Sequence, residues 1–204
     1  MLQLISAEVK SKILIFALQM LAVTFILVLI ATIIGDLKRK LRKKLADKKD
    51  KNFFDRIMYD LLSSNQSTKQ KGNPIIYIDN MTGIQFEVFL KEMFKILGYT
   101  VHKTPDSGDY GADLYMEKGG KKYVVQAKRS KDKIGLSAVQ EVVTSKAHYN
   151  AEIAVVITNN YLTANAKTLA KNNNVIVYER PELIKLVRKS KMIMQNKKQV
   201  SKIS

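Results

Sequence analysis

Residues 106–128 read DSGDYGADLYMEKGGKKYVVQAK, and this stretch decides how the domain folds. Two runs of alternating apolar residues, Ala112 to Glu117 and Lys122 to Lys128, flank Lys118-Gly119-Gly120-Lys121. A short glycine-containing connection between two such runs predicts a β-hairpin. Gly108 and Gly111 favour a tight turn into its first strand.

Polar side chains of this hairpin predict a metal site. Asp113 lies just inside the first predicted strand, and Gln126 and Lys128 share one face of the second because strand side chains alternate with period two. A carboxylate, an amide oxygen and an ammonium can therefore converge on one point. Mg²⁺ takes oxygen ligands of this kind, and a metal beside a lysine suits hydrolysis of a phosphodiester.

The sequence around the hairpin alternates helical and extended patterns. Apolar residues at helical spacing predict helices over 84–97, 137–149, 163–171 and 181–187, with Ser137 as a helix N-cap. Apolar runs predict strands over 100–103, 153–158 and 175–178. The order α-β-β-β-α-β-α-β-α predicts an α/β sandwich around a mixed sheet.

Several motifs in this order resemble the Mrr-like restriction endonuclease catalytic domain of the PD-(D/E)xK nuclease superfamily. The resemblance covers residues 78–186 and rests on IDNMTGIQFE at 78–87, LGYTV at 97–101, DYGAD at 109–113, QAK at 126–128 and TNN at 158–160. It implies a restriction-endonuclease-like αβββαβ core. It also implies a DNA endonuclease that depends on Mg²⁺, with Mn²⁺ as the alternative ion.

The resemblance also implies roles for four residues. Asp113 matches the metal-binding acid, Lys128 the catalytic lysine, and Glu87 a helix carboxylate that supports the metal. Gln126 stands where many members have Glu or Asp, as is common in the Mrr-like branch. Because an amide oxygen carries no charge, we expect modest metal affinity.

Alternatives remain for the acidic residues. Asp106 follows Pro105 and spells the literal "PD", but Asp113 opens a strand, and a ligand on a rigid element is better positioned. Glu87 also fits a surface pair with Lys91 at i+4. Asp109 favours a turn cap over a metal ligand.

Three polar residues are candidates for DNA contact. Gln140 fits a helix glutamine that faces the same cleft, and Arg129 and Lys131 follow the second hairpin strand. Each also fits an ordinary solvated surface residue. His102 and His148 are expected to be structural or solvated.

Charge is concentrated at two flanks. The chain has 204 residues, 35 Lys+Arg, 18 Asp+Glu and a net charge of +17, which predicts a polyanionic partner. Residues 36–51 and 188–204 each carry +6, whereas residues 79–187 carry only +3. The absence of cysteine excludes a disulfide scaffold, a Cys-based zinc site and a thiol nucleophile.

The N-terminal part contains 22 uncharged residues, 13–34. At about 1.5 Å per residue such a helix is long enough to cross a bilayer, and a secretory signal or a buried helix are the rival interpretations. The nine basic residues among 36–51 place the following part of the chain in the cytoplasm by the positive-inside rule. They also suit anionic lipid headgroups.

These observations predict five segments. Residues 1–12 are a short N-terminal segment, 13–35 a single transmembrane helix, 74–187 the nuclease domain and 188–204 a basic tail expected to be disordered. Residues 36–73 hold the basic segment, a short amphipathic helix from Phe53 to Leu62 and a polar linker. The amphipathic helix fits a membrane surface and a protein surface equally well.

The expected function is that of a membrane-anchored, Mg²⁺-dependent DNA endonuclease at the cell membrane, acting in restriction of foreign or modified DNA. The alternatives are a catalytically silent, membrane-tethered DNA-binding module and an interaction scaffold. Cleavage of both strands by one small active site favours a homodimer.

Overall fold

The computed structural model describes residues 7–63, 74–104 and 110–200, in two compact units, Met1–Lys49 and Asp50–Ser204. The predicted polar linker and the turn containing Asp106 and Asp109 lie outside the described residues. The helices are α1 (Ala7–Ser63), α2 (Pro74–Asp79), α3 (Gly83–Ile96), α4 (Leu136–His148), α5 (Ala164–Asn172) and α6 (Arg180–Val200). The strands are β1 (Thr100–Lys103), β2 (Leu114–Lys118), β3 (Lys121–Lys128), β4 (Ile153–Thr158) and β5 (Ile176–Tyr178).

The five strands form one mixed sheet in the order β1-β2-β3-β4-β5. β1, β2 and β3 pair antiparallel, and β4 and β5 continue the sheet in parallel. From α3 onward the order of elements is the predicted one. The restriction-endonuclease-like fold with a mixed central sheet is therefore confirmed.

The hairpin turn is built by two glycines. Gly119 and Gly120 have φ of 58° and 75°, the left-handed region that glycine enters without steric cost. They set the register in which Leu114 faces Val125 and Lys118 faces Lys121. This register decides which side chains meet across the two strands.

Two apolar layers cover the sheet. On the first face, Leu114, Met116 and Val125 pack against buried side chains of α3 and α6. On the second face, Val124 and Val156 pack against buried side chains of α4 and α5. Alternation along the strands therefore assigns every side chain of β2 and β3 to one of these faces.

The compact unit begins before Pro74, the predicted domain boundary. Phe54 and Met58 of α1 are fully buried in the first-face core, and the Phe54 ring lies 5.3 Å from that of Phe89. Lys91 is also buried, with its ammonium 3.4 Å from Asp50. The amphipathic helix, for which the sequence allowed two surfaces, thus packs on the protein.

The C-terminal segment differs from its prediction. Residues 188–200 continue α6 instead of being disordered, because Ser190 is buried and Ile193 and Met194 pack against the first-face core. The sequence predicts disorder because the many basic residues of this segment outweigh its few apolar residues at helical spacing.

One predicted helix cap is wrong. The N-cap of α4 is Gly135, without a side-chain hydrogen bond, and Ser137 lies inside the helix. The caps of α3 and α5 are side-chain caps: the Thr82 and Thr163 hydroxyls accept hydrogen bonds from the Gln85 and Ala166 amides.

Within the described residues, one helix is long and apolar enough to cross a membrane. The qualifying segment is Ser11–Tyr59, near the N-terminus. Length and composition admit both an anchor and a signal sequence.

We expect Phe54→Ala to lower the free energy of unfolding by about 3–5 kcal/mol, because it opens a cavity beside Phe89. Urea denaturation of the full chain in detergent, followed by circular dichroism, measures this loss. Tyr59→Ala is the control: Tyr59 is exposed on the same helix and should change stability by less than about 0.5 kcal/mol. Equal stability of the two variants would contradict the extended boundary.

Candidate active site

Asp113 is held by main-chain hydrogen bonds on both sides. It lies immediately before β2, not inside it as the sequence indicated. Its amide donates to the Val125 carbonyl at 2.9 Å, and its carbonyl accepts from the Thr104 amide at 3.2 Å. The Thr104 hydroxyl donates to the carbonyl of Ala112. The carboxylate of Asp113 therefore projects from a backbone pinned to both neighbouring strands.

Asp113 and Gln126 meet across the hairpin. One carboxylate oxygen of Asp113 accepts from the Gln126 Nε2 at 2.8 Å and from the Ala127 amide at 2.7 Å. Gln126 is buried, at 4% exposure, and its Oε1 has no hydrogen-bond partner among the described residues. An orphaned, buried amide oxygen is costly and points to an absent ligand.

Lys128 lies on the same face and pairs with Glu141. Its ammonium is 2.8 Å from a carboxylate oxygen of Glu141 on α4, and both side chains are half-exposed. The period of two places Gln126 and Lys128 on the second face, as the sequence predicted. Asp113 lies on the second face as well, because its neighbour Leu114 packs on the first face and successive side chains point to opposite faces.

Gly111 allows α4 to approach this site. Its φ is 85°, and a Cβ at this position would lie 2.7 Å from the main-chain oxygen of Glu141. Only a residue without a side chain fits such a close approach of two backbones. Gly111 thereby helps to bring Glu141 to Lys128.

A second polar cluster, formed by Asp79, Asn159 and Arg180, lies where β3 and β4 end. Arg180 donates two hydrogen bonds to the Asp79 carboxylate, at 3.0 and 2.7 Å, and one to the Asn159 carbonyl. The Asn159 side chain donates to Asp79 and accepts from the amide of Ser130, just beyond Lys128. These contacts fix where the chain leaves β3 and β4.

Electrostatics support this cluster. Burial alone would raise the pKa of Asp79, but hydrogen bonds from Arg180 and Asn159 and the charges of Arg180 and Arg129 outweigh it and lower that pKa. The hydrogen bond to Asp79 correspondingly raises the pKa of Arg180. Asp79 and Arg180 therefore form a stable ion pair at neutral pH.

The other predicted site residues lie elsewhere. Glu87 is on α3, which packs on the first face, whereas Asp113, Gln126 and Lys128 face the second; its role as a metal ligand stays a prediction. Arg129, a predicted DNA contact, is half-buried and donates a hydrogen bond to the Asp79 carbonyl. This contact ties the end of β3 to the end of α2.

The remaining two predicted DNA contacts are exposed. Gln140 lies on α4 with its side chain in solvent, and Lys131 follows β3. They remain candidates.

Sequence reasoning missed Glu141, Asp79 and Arg180 as parts of the site. Glu141 adjoins Gln140, about 100° round the helix, and only the packing of α4 shows which of the two faces Lys128. Asp79 and Asn159 lay in the quoted motifs without a role. The pairing of Arg180 with Asp79 could not be predicted from local sequence, because the two residues are 101 positions apart in the chain.

The donor set fits a divalent cation. Asp113 supplies a carboxylate, and rotation of the Gln126 amide would turn its partnerless oxygen toward the same point. The described residues contain no group of three His, Cys, Asp or Glu side chains that could hold a metal. The protein thus offers one carboxylate and one amide, leaving other positions for water and substrate oxygens.

A cavity of about 700 Å³ lies apart from these residues. Its lining is mainly apolar and comes from α1, α2, α3 and the turn between α2 and α3, and includes Phe53, Ile57 and Met81. None of the residues paired around Asp113 and Lys128 lines it. The cavity is therefore separate from the hairpin face that carries Asp113 and Lys128.

The fold and the hairpin residues define a restriction-endonuclease-like nuclease domain. Residues 78–187 match the Mrr_cat family, described as restriction endonuclease. The match covers more than half of the chain, and the chain belongs to this family. No curated protein matches it.

Solved structures with a similar fold include two restriction enzymes. The MspJI restriction endonuclease in complex with a 27-mer oligonucleotide has 18% identity and a TM-score of 0.43, over 63% of this chain and 33% of that one. The DNA modification-dependent restriction endonuclease AspBHI has 14% identity and a TM-score of 0.41, over 74% and 40%.

A third similar structure is AF1548, a protein of unknown function. It has 14% identity and a TM-score of 0.39, over 44% of this chain and 54% of that one. The aligned part spans about a third to a half of the length of these three proteins.

Gly111→Ala should destabilise the domain and separate Glu141 from Lys128, because the new methyl group would meet the Glu141 backbone at 2.7–2.9 Å. We expect a loss of about 2–4 kcal/mol in urea denaturation, from overpacking and from the positive φ. Gly120→Ala is the matched control: its φ is 75° but nothing lies within 4 Å, so only about 1 kcal/mol should be lost. Equal losses would show that α4 does not approach Gly111 closely.

Proposed function

We propose that this chain is a membrane-anchored, Mg²⁺-dependent DNA endonuclease of the PD-(D/E)xK type that acts in restriction of foreign or modified DNA. The observation that supports the proposal is that Asp113, Gln126 and Lys128 lie on one face of the hairpin, in a chain that belongs to the Mrr_cat family. The Asp113–Gln126 contact of 2.8 Å joins residues that the resemblance had assigned to metal binding.

Asp113 and Gln126 would hold the ion, whereas Glu87, the further ligand that the resemblance implied, lies on α3, which packs on the first face. A bound divalent metal supplies Lewis acidity toward the scissile phosphate and lowers the pKa of a coordinated water. Because Gln126 contributes no charge, phosphate oxygens of the substrate would complete the site. Metal affinity should therefore rise when DNA is present.

Lys128 would place positive charge at the phosphate undergoing attack. An ammonium there offsets the negative charge that develops on the phosphoryl oxygens. Glu141, at 2.8 Å, holds that ammonium toward the second face without burying it. Glu141 acts through Lys128 and is a positioning residue.

The N-terminal helix suits a membrane anchor. Its apolar side chains from Ile13 to Ile34 are exposed in the part of the chain that the structure describes. Thr24 and Thr32 donate to the carbonyls of Leu21 and Leu29 at 2.8 Å, so their hydroxyls need no water. The basic residues that follow favour a cytoplasmic location for the nuclease domain and contact with anionic lipids.

The low net charge of the nuclease domain indicates that overall electrostatic attraction contributes little to DNA binding. Residues 79–187 carry only +3, so placed contacts such as Lys131 and Gln140 would matter more than overall attraction. A homodimer would supply the second active site that double-strand cleavage needs.

Asp113→Asn and Lys128→Ala should each reduce DNA cleavage at least about 100-fold, because they remove the metal carboxylate and the cation at the phosphate. The measurement is nicking of supercoiled plasmid, unmodified and methylated, by the full chain in detergent with Mg²⁺. EDTA should abolish cleavage.

Lys185→Ala is the matched control for that experiment, since Lys185 is an exposed lysine of α6 outside the site. Unchanged cleavage by both site variants would refute the assignment. DNA retention without Mg²⁺-dependent nicking by the wild-type chain would favour the silent DNA-binding module instead. A chain that neither binds nor nicks DNA would favour the interaction scaffold.

The anchor proposal predicts that the intact chain stays with membranes in about 1 M salt and at alkaline pH and is released by detergent. Salt at this concentration screens headgroup attraction but leaves a spanning helix in place. The mass of the membrane-bound chain checks the rival interpretation. A mature chain lacking residues 13–34 would identify a cleaved signal sequence.

A further inference from the structure

Five aromatic side chains form a continuous row beside the candidate active site. The ring centroids of His102 and Tyr115 are 6.2 Å apart, and those of Tyr115 and Tyr149 are 5.8 Å apart. The row continues to His148 at 4.8 Å and ends at Tyr110, which stacks on His148 at 3.7 Å and 21°. Both histidines, expected to be merely structural or solvated, thus belong to this aromatic row.

Tyr110 presents its ring to solvent at one end of the row. It is 57% exposed although His148 stacks on one of its faces. Its φ of 51° lies in the left-handed region, which is sterically unfavourable for a bulky residue. A large exposed aromatic residue held in such a conformation is a candidate for function, since strained residues cluster at binding sites.

This end of the row adjoins the metal-binding residues. Tyr110 precedes Gly111, which abuts the backbone of Glu141, and Glu141 pairs with Lys128. His148 is seven residues beyond Glu141 on α4, or about 10 Å along the helix.

The opposite end of the row is unsuited to DNA. The Tyr115 hydroxyl donates a hydrogen bond to the Glu117 carboxylate. That carboxylate, beside Tyr115, would repel phosphates. The ligand-binding part of the row is therefore restricted to Tyr110 and His148.

We propose that Tyr110 and His148 form a stacking platform for an unpaired nucleobase of the DNA, close to the scissile phosphate. This inference rests on the proposed nuclease function and adds a substrate class: DNA that is single-stranded or locally unpaired next to the cleaved bond. Tyr110 offers its exposed ring, and His148 stacks on one of its faces. Aromatic side chains bind bases of any identity because every base has a π-face.

The test uses 2-aminopurine, whose fluorescence is quenched when it stacks. The full chain in detergent is titrated with single-stranded and fully paired oligonucleotides carrying this base, in EDTA so that no cleavage occurs. We expect quenching with the single strand and little with the duplex.

Tyr110→Gly should abolish the quenching and weaken single-strand binding about 5- to 150-fold. Glycine suits the positive φ, so this variant removes the ring without endangering the fold. Tyr110→Asn is a second variant that tolerates the same backbone conformation. Tyr110→Phe should restore both signals to within about twofold. Tyr59→Ala, an exposed tyrosine of α1, is the control and should leave both signals unchanged.

The outcomes separate the two proposals. Equal quenching and affinity for the wild-type chain, Tyr110→Gly and Tyr110→Asn would overturn the platform even if Mg²⁺-dependent cleavage is intact. Ring-dependent quenching in a chain that never cleaves DNA would support the platform and refute the nuclease mechanism.

Discussion

The antiparallel pairing of β2 with β3 is the constraint on which the site depends, because Asp113 has no contact with Gln126 in any other register. Two glycines at the turn set this register, and the Asp113 amide extends it by donating to the Val125 carbonyl at 2.9 Å. A slip of one residue would exchange the faces of the hairpin and bury Lys128 against the wrong core. Fold and chemistry are thus specified by the same main-chain hydrogen bonds.

The end of the sheet is fixed by polar groups instead of apolar packing. Asp79, Asn159 and Arg180 come from distant parts of the sequence and satisfy one another where β3 and β4 end. Such a network costs free energy if one member is lost, because the others are left partly buried without partners. Its hydrogen bonds hold the loop after Lys128 through the Ser130 amide and the Asn159 side chain.

The net positive charge lies mainly outside the nuclease domain. Most of the +17 lies in two flanks, and one of these follows the apolar helix. The other flank belongs to α6, whose apolar side chains pack on the first-face core while its charges face outward. Residues 79–187 carry only +3, so the proposed binding of DNA rests on placed side chains such as Asp113, Lys128 and the Tyr110–His148 stack.

The amino-acid sequence was sufficient to predict the order of elements, the hairpin and the meeting of Asp113 with Gln126, because each follows from local periodicity and from a short glycine-containing connection. Tertiary structure decided what local pattern cannot encode. The packing of Phe54 and Met58 moved the start of the compact unit to Asp50, and α6 continued to Val200 because its apolar spacing meets the core. Glu141 rather than Gln140 faces Lys128 because the Gly111 contact sets the rotation of α4 about its axis. These outcomes depend on contacts between residues far apart in the chain, and burial of such surfaces is a property of the assembled fold alone.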